Sequence, residues 1–91
     1  MSKAEKLTTI IDEIVNERVH QINKGFTPAH DNTLVEGELA EAAAVYASTK
    51  LDPKEWYPRG WIHTQAPRRK QLIKAAALII AEIERLDRLF R

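Results

Sequence analysis

The sequence predicts an all-α fold: a three-helix bundle with a long basic, aromatic loop between helices 2 and 3, oligomerising through helix 3. Three observations carry that expectation. Apolar residues recur every three or four positions in two long segments, an alanine-rich and proline-free segment lies between them, and turn-rich or aperiodic stretches separate the three. The 91 residues allow one domain, residues 1–91, and leave no room for a second core.

Ser2 and Glu5 stand at capping-box spacing, so the first helix is expected over Lys3–Asn23. Leu7, Ile10, Ile11, Ile14, Val15 and Ile22 form its apolar stripe, and Gly25 can stop it. Residues 24–33 (KGFTPAHDNT) are turn-forming throughout. The second helix is expected over residues 34–49, where Gly37 near the start costs little and Asn32 or Thr33 supplies a cap. Asp52 and Pro53 read as a one-turn helical start, after which residues 56–66 have no period.

Pro67 is placed to open the third helix, expected over residues 67–90, with a stripe of Leu72, Ala76, Ile79, Ile80, Ile83, Leu86 and Phe90. The run AAALIIA at residues 75–81 is apolar almost all round. Such a helix needs cover on several sides. Two shorter helices supply too little, which predicts a homo-oligomer with this helix at the interface and with its alanines permitting close approach.

Composition narrows the function. Without cysteine there is no disulfide framework, thiolate zinc site or thiol nucleophile, so a reducing cytoplasm is the expected setting. No long apolar run or secretory signal is visible, so no membrane partner is expected. A net charge of +1 argues against a long nucleic acid as partner. That near-neutrality conceals an asymmetry. Residues 50–74 hold seven basic groups against two acidic ones, a balance of +5, and the remainder of the chain stands at −4.

Several polar groups fall on apolar faces. Arg18 lies in the middle of the first helix's stripe with Gln21 at its edge, and Asp87 projects inside the third helix's apolar sector. A lone buried charge is costly, so Arg18 and Asp87 are expected to form a structural ion pair between packed helices; the other reading has them lining a polar pocket or metal site. Glu38 with Glu41, and Glu84 with Asp87, are acidic pairs three apart that could each offer two oxygens to Mg²⁺. Acidic pairs at this spacing are also common on solvated helix faces. His30 and Asp31 read either as a local hydrogen-bonded turn or as an acid–base or ligand pair.

The loop before the third helix spans about fifteen residues, longer than the two to eight usual in small bundles, and loops of that kind often bind ligands. Trp56 and Trp61 offer flat faces for a nucleobase, while Arg59, Arg68, Arg69 and Lys70 offer donors to phosphate. Lys24, His30 and Asp31 are expected to close such a pocket from the first loop, with no metal or other cofactor required. The bland alternative is that the tryptophans close the end of the bundle and the arginines solvate it.

ER-x-x-Q (Glu17, Arg18, Gln21), KGFTPAHD (residues 24–31), GELAEAA-x-YA (residues 37–47) and LIKAAALIIAEIERLDR (residues 72–88) together resemble a family of small phage and prophage proteins. Parts are similar to the MazG-like nucleoside triphosphate pyrophosphohydrolases, which implies an oligomeric, Mg²⁺-dependent enzyme using Glu38, Glu41, Glu84 and Asp87. Gly37 stands where that family's metal box has its first Glu. In kind of protein the chain also resembles phage sponges that sequester immune signalling nucleotides, such as the cyclic ADP-ribose derivatives of Thoeris or the cyclic dinucleotides of CBASS. The expectation is therefore a small oligomeric protein that sequesters a phosphorylated nucleotide and counters bacterial defence in the host cytoplasm. The alternatives are the pyrophosphohydrolase and a purely structural helical assembly protein.

Overall fold

A computed structural model describes residues 2–51 and 65–90. Regular structure among them is helical throughout: α1 (Lys3–Asn23), α2 (Pro28–Asp31), α3 (Glu38–Ala47) and α4 (Arg68–Leu89). The other three helices each pack on α4 and scarcely on one another. The expected second-loop start at Asp52 and Pro53, and all of residues 52–64, lie outside the described residues.

Local chemistry sets each boundary. The Ser2 hydroxyl accepts a hydrogen bond from the Glu5 N–H at 3.2 Å and opens α1. At the other end the Phe26 N–H reaches the Gln21 carbonyl and the Gly25 N–H reaches that of Ile22, a Schellman closure with Gly25 at φ 119°. The segment expected to be all turn contains one helical turn, α2. Thr27 caps it by accepting from the His30 N–H at 3.2 Å, and Pro28 pre-sets the first helical φ.

Helix α3 begins four residues later than the sequence predicts. Gly37 sits at φ 86°, a left-handed conformation that breaks helix continuity ahead of Glu38. The expected caps are used elsewhere: Asn32 Oδ1 accepts from Arg88 Nε at 3.0 Å, and the Thr33 hydroxyl donates to the His30 carbonyl at 2.7 Å. The Glu38 carboxylate accepts the Glu36 N–H instead.

The apolar core lies between α3 and α4. Leu39, Ala42, Ala43 and Tyr46 pack on Ala75, Leu78 and Ala81, with Leu34 and Ala47 at the margin. Alanines on both sides bring the two backbones close, so most alanines of α4 serve contact within the chain and not the expected interface between chains.

Helix α1 packs by different means. Its buried residues are Glu17, Arg18 and Gln21, whereas Leu7, Ile10, Ile11 and Val15 of the predicted apolar stripe are exposed. Residues 2–12 are exposed without exception, so this half of α1 overhangs the rest of the fold. On α4 the face turned from the core is also apolar, with Leu72, Ile79, Ile83, Leu86 and Phe90 all exposed.

Arg18 does not pair with Asp87. Its Nη2 lies 2.9 Å from Asp31 Oδ2 and its Nε 2.8 Å from Glu84 Oε1. Asp87 is one turn beyond Glu84 and is exposed. Arg18 is buried on α1 as its position in the stripe predicts, but the carboxylate it meets is delivered by the one-turn α2.

Asp31→Ala leaves Arg18 buried beside a single half-exposed carboxylate, and is expected to destabilise the chain by about 3–5 kcal/mol in urea unfolding. Asp87→Ala should change stability by no more than about 0.5 kcal/mol in the same measurement.

Candidate ligand-binding site

Two polar clusters flank α1, and the residues predicted to form one pocket divide between them. In the first, Arg18 is the hub. Besides Asp31 and Glu84 it donates through Nη1 to the Phe26 carbonyl at 3.0 Å. Asp31 is fully buried, and its Oδ1 has no hydrogen-bond partner among the described residues; His30 Nδ1 is 3.6 Å away, beyond hydrogen-bond reach. The His30 ring is half-exposed and meets Phe26 edge-on at 5.4 Å. Lys24 is the C-cap of α1. Asp31 is thus committed to structure, and this end of α1 holds His30 and Lys24 at the surface.

The second cluster surrounds a cleft of about 510 Å³ between α1 and the first turns of α4, lined by Glu13, Asn16, Glu17, His20, Arg69, Lys70 and Ile73. The volume falls in the range of small-molecule sites. Both Arg69 terminal nitrogens bond the Glu13 carboxylate. Lys70 Nζ lies 3.1 Å from Glu17 Oε1, and Lys74 Nζ lies 3.7 Å from Oε2. Glu17 is buried, and its Oε1 accepts no well-aligned hydrogen bond. The hydrogen bond from Arg69 holds the Glu13 carboxyl below its ordinary value of 4.5, with the charges of Arg69 and Lys70 adding to it. The same bond raises the Arg69 guanidinium.

Of the residues expected to hold phosphate, Arg69 and Lys70 line this cleft and Arg68 does not. Arg68 turns to α3 and donates to the carbonyls of Tyr46 and Ala47, the favourable place for a cation at a helix C-terminus. Trp56, Arg59 and Trp61 lie outside the described residues. Eleven residues of helix, about 16 Å, separate Glu13 from Lys24, so the first-loop residues and the Arg69–Lys70 pair are not brought together.

Glu13, Asn16, Glu17 and His20 were missing from the sequence reading of the site. Their signal was there, since positions 13, 16, 17 and 20 share one helix face and form a continuous polar row beside the apolar stripe.

The four carboxylates of the Mg²⁺ alternative do not fit a metal. Glu84 is held by Arg18, Glu38 is spent on the Glu36 N–H, and Glu41 and Asp87 are exposed. Among the described residues no three His, Cys, Asp or Glu side chains gather where an ion could be held.

No helix among the described residues is long and apolar enough to cross a membrane. No family model matches the chain, and no curated protein or solved structure was found to be similar to it.

Because Glu13 is lowered on folding, its pair with Arg69 contributes stability above the ordinary carboxylate range, lost as pH falls through the lowered value. Thermal melts of the wild type and Glu13→Gln should therefore differ by a constant amount at neutral pH. Below Glu13's folded pKa the two should coincide.

Proposed function

We propose that the protein is a homo-oligomer that binds a small phosphorylated nucleotide and holds it without transforming it. The observation that carries this reading is the cleft between α1 and α4, at whose edge Arg69 and Lys70 stand side by side in the first turn of α4. That turn contains no acidic residue of its own, and among the described residues no side chain caps it, so its N–H groups and the positive end of the helix dipole favour an anion. Phosphate oxygens match both features.

The carboxylates facing Arg69 and Lys70 do not forbid this. The Arg69–Glu13 pair is exposed, so water screens it and exchange of Glu13 for a phosphate costs little. Glu17 retains Lys74 when Lys70 turns to a ligand. Sequestration in a host cytoplasm against a nucleotide immune signal remains the role that the resemblance to phage sponges implies. The exposed outer face of α4 supports the oligomer.

The test is capture. The protein is incubated with nucleoside triphosphates, cyclic dinucleotides and cyclic ADP-ribose, with and without Mg²⁺, then washed, heated and the supernatant chromatographed. Intact nucleotide is expected, with affinity about tenfold lower in Arg69→Ala and in Lys70→Ala. A monophosphate product that appears only with Mg²⁺ would replace this reading with the pyrophosphohydrolase. Failure to capture any of these nucleotides would leave the assembly protein.

A further inference from the structure

The exposed apolar residues of α4 are not scattered. Leu72, Ala76, Ile79, Ile83, Leu86 and Phe90 follow one another at alternating steps of four and three, the a/d seam of a coiled coil. Ala76 is half-buried and the other five are exposed, on the side of the helix opposite the Ala77, Ala81 and Arg85 face that α1 and α3 cover. One helix thus carries two apolar faces, and only one has a partner within the chain.

We infer that this seam pairs with the same seam of a second copy, with the two α4 helices antiparallel. Reversing one helix sets each a position against a d position, and the seam is self-complementary under that operation. Leu72 meets the partner's Phe90, Ala76 meets the partner's Leu86, and Ile79 meets the partner's Ile83. All six residues find an apolar opposite in one register, and the smallest faces a large one. A parallel pair would stack Ala76 on the partner's Ala76 and leave a void at that layer.

Charge selects the same orientation. The N-terminal turns of α4 carry Arg68, Arg69, Lys70 and Lys74 with no acid among them. Asp87 flanks the seam near the other end, exposed and without an ion pair among the described residues. Antiparallel pairing brings Asp87 to the partner's basic end and aligns the helix dipoles favourably. The antiparallel register also carries the partner's Phe90 to the end of α4 from which α1 overhangs, where Leu7 and Ile11 are exposed.

This deepens the oligomer half of the proposed function and is independent of its ligand. The wild-type chain has no cysteine, so single substitutions report the register cleanly. Ala76→Cys and Leu86→Cys chains are refolded separately and as an equal mixture, then oxidised. The mixture should give a disulfide-linked dimer and neither variant alone should, because like positions lie ten residues, about 15 Å, apart along the pair. A linked dimer from Ala76→Cys alone would establish the parallel arrangement and overturn the proposal. So would a mixture that stays unlinked while circular dichroism shows native helicity. Sedimentation equilibrium of the wild type should give a dimer or a multiple of it, and Ile79→Lys/Ile83→Lys a monomer of unchanged helicity; a monomeric wild type refutes the pairing. Nucleotide capture on the same samples separates a failure of the ligand reading from a failure of this one.

Discussion

The fold turns on one buried cation. Arg18 takes Asp31 from thirteen residues away and Glu84 from sixty-six residues away, and a third bond goes to the Phe26 carbonyl. A guanidinium out of water is tolerated only when its donors are met by well-placed acceptors, and the planar fork of arginine fixes where those acceptors must stand. The requirement sets the geometry of three segments together. It closes the chain between α1 and α2, orients α2 so that Asp31 points inward, and anchors both to the C-terminal half of α4.

Two different physics therefore meet on α4. Against α3 the contact is apolar, alanine-lined and non-directional, and it is held by burial and close packing. Against α1 and α2 it is polar and directional, since Glu17, Gln21 and Arg18 replace the aliphatic residues that would normally fill such an interface. The aliphatic residues are present on both helices but face away. That inversion leaves a contiguous apolar seam exposed along α4, the kind of surface that marks interaction sites.

Helix existence was legible in the sequence because α1 and α4 are long, periodic and locally capped. The bounds of α1 follow from Ser2, Glu5 and Gly25 alone, whereas α3 starts late because one left-handed glycine outweighs four residues of helical propensity. Periodicity identifies an apolar face without saying what covers it, which is why the stripe of α1 reads as packing although Leu7, Ile10, Ile11 and Val15 of it are exposed. The buried status of Arg18 could be read from its angular position, but its partner could not. Asp31 enters through a one-turn helix that only the Thr27–Pro28 pair betrays. For the candidate site, Arg69 and Lys70 were found from charge clustering, and Arg68 was grouped with them because a sequence cannot show that a neighbouring helix end competes for the same guanidinium. The α1 side of the cleft was overlooked because Glu13, Asn16, Glu17 and His20 resemble any solvated face.

That every other helix leans on α4 has a consequence for synthesis. Synthesis runs from α1 onward, so α4 is made after the other three helices. Until it emerges, α3 has no surface for Leu39 and Tyr46 and Arg18 has only one of its two carboxylates. Packing is deferred until α4 is made, because the apolar contact with α3 and the polar contacts with α1 and α2 all lie on it. Burial of the alanine-lined face and pairing of Arg18 with Glu84 then become concurrent events, set by the arrival of a single helix.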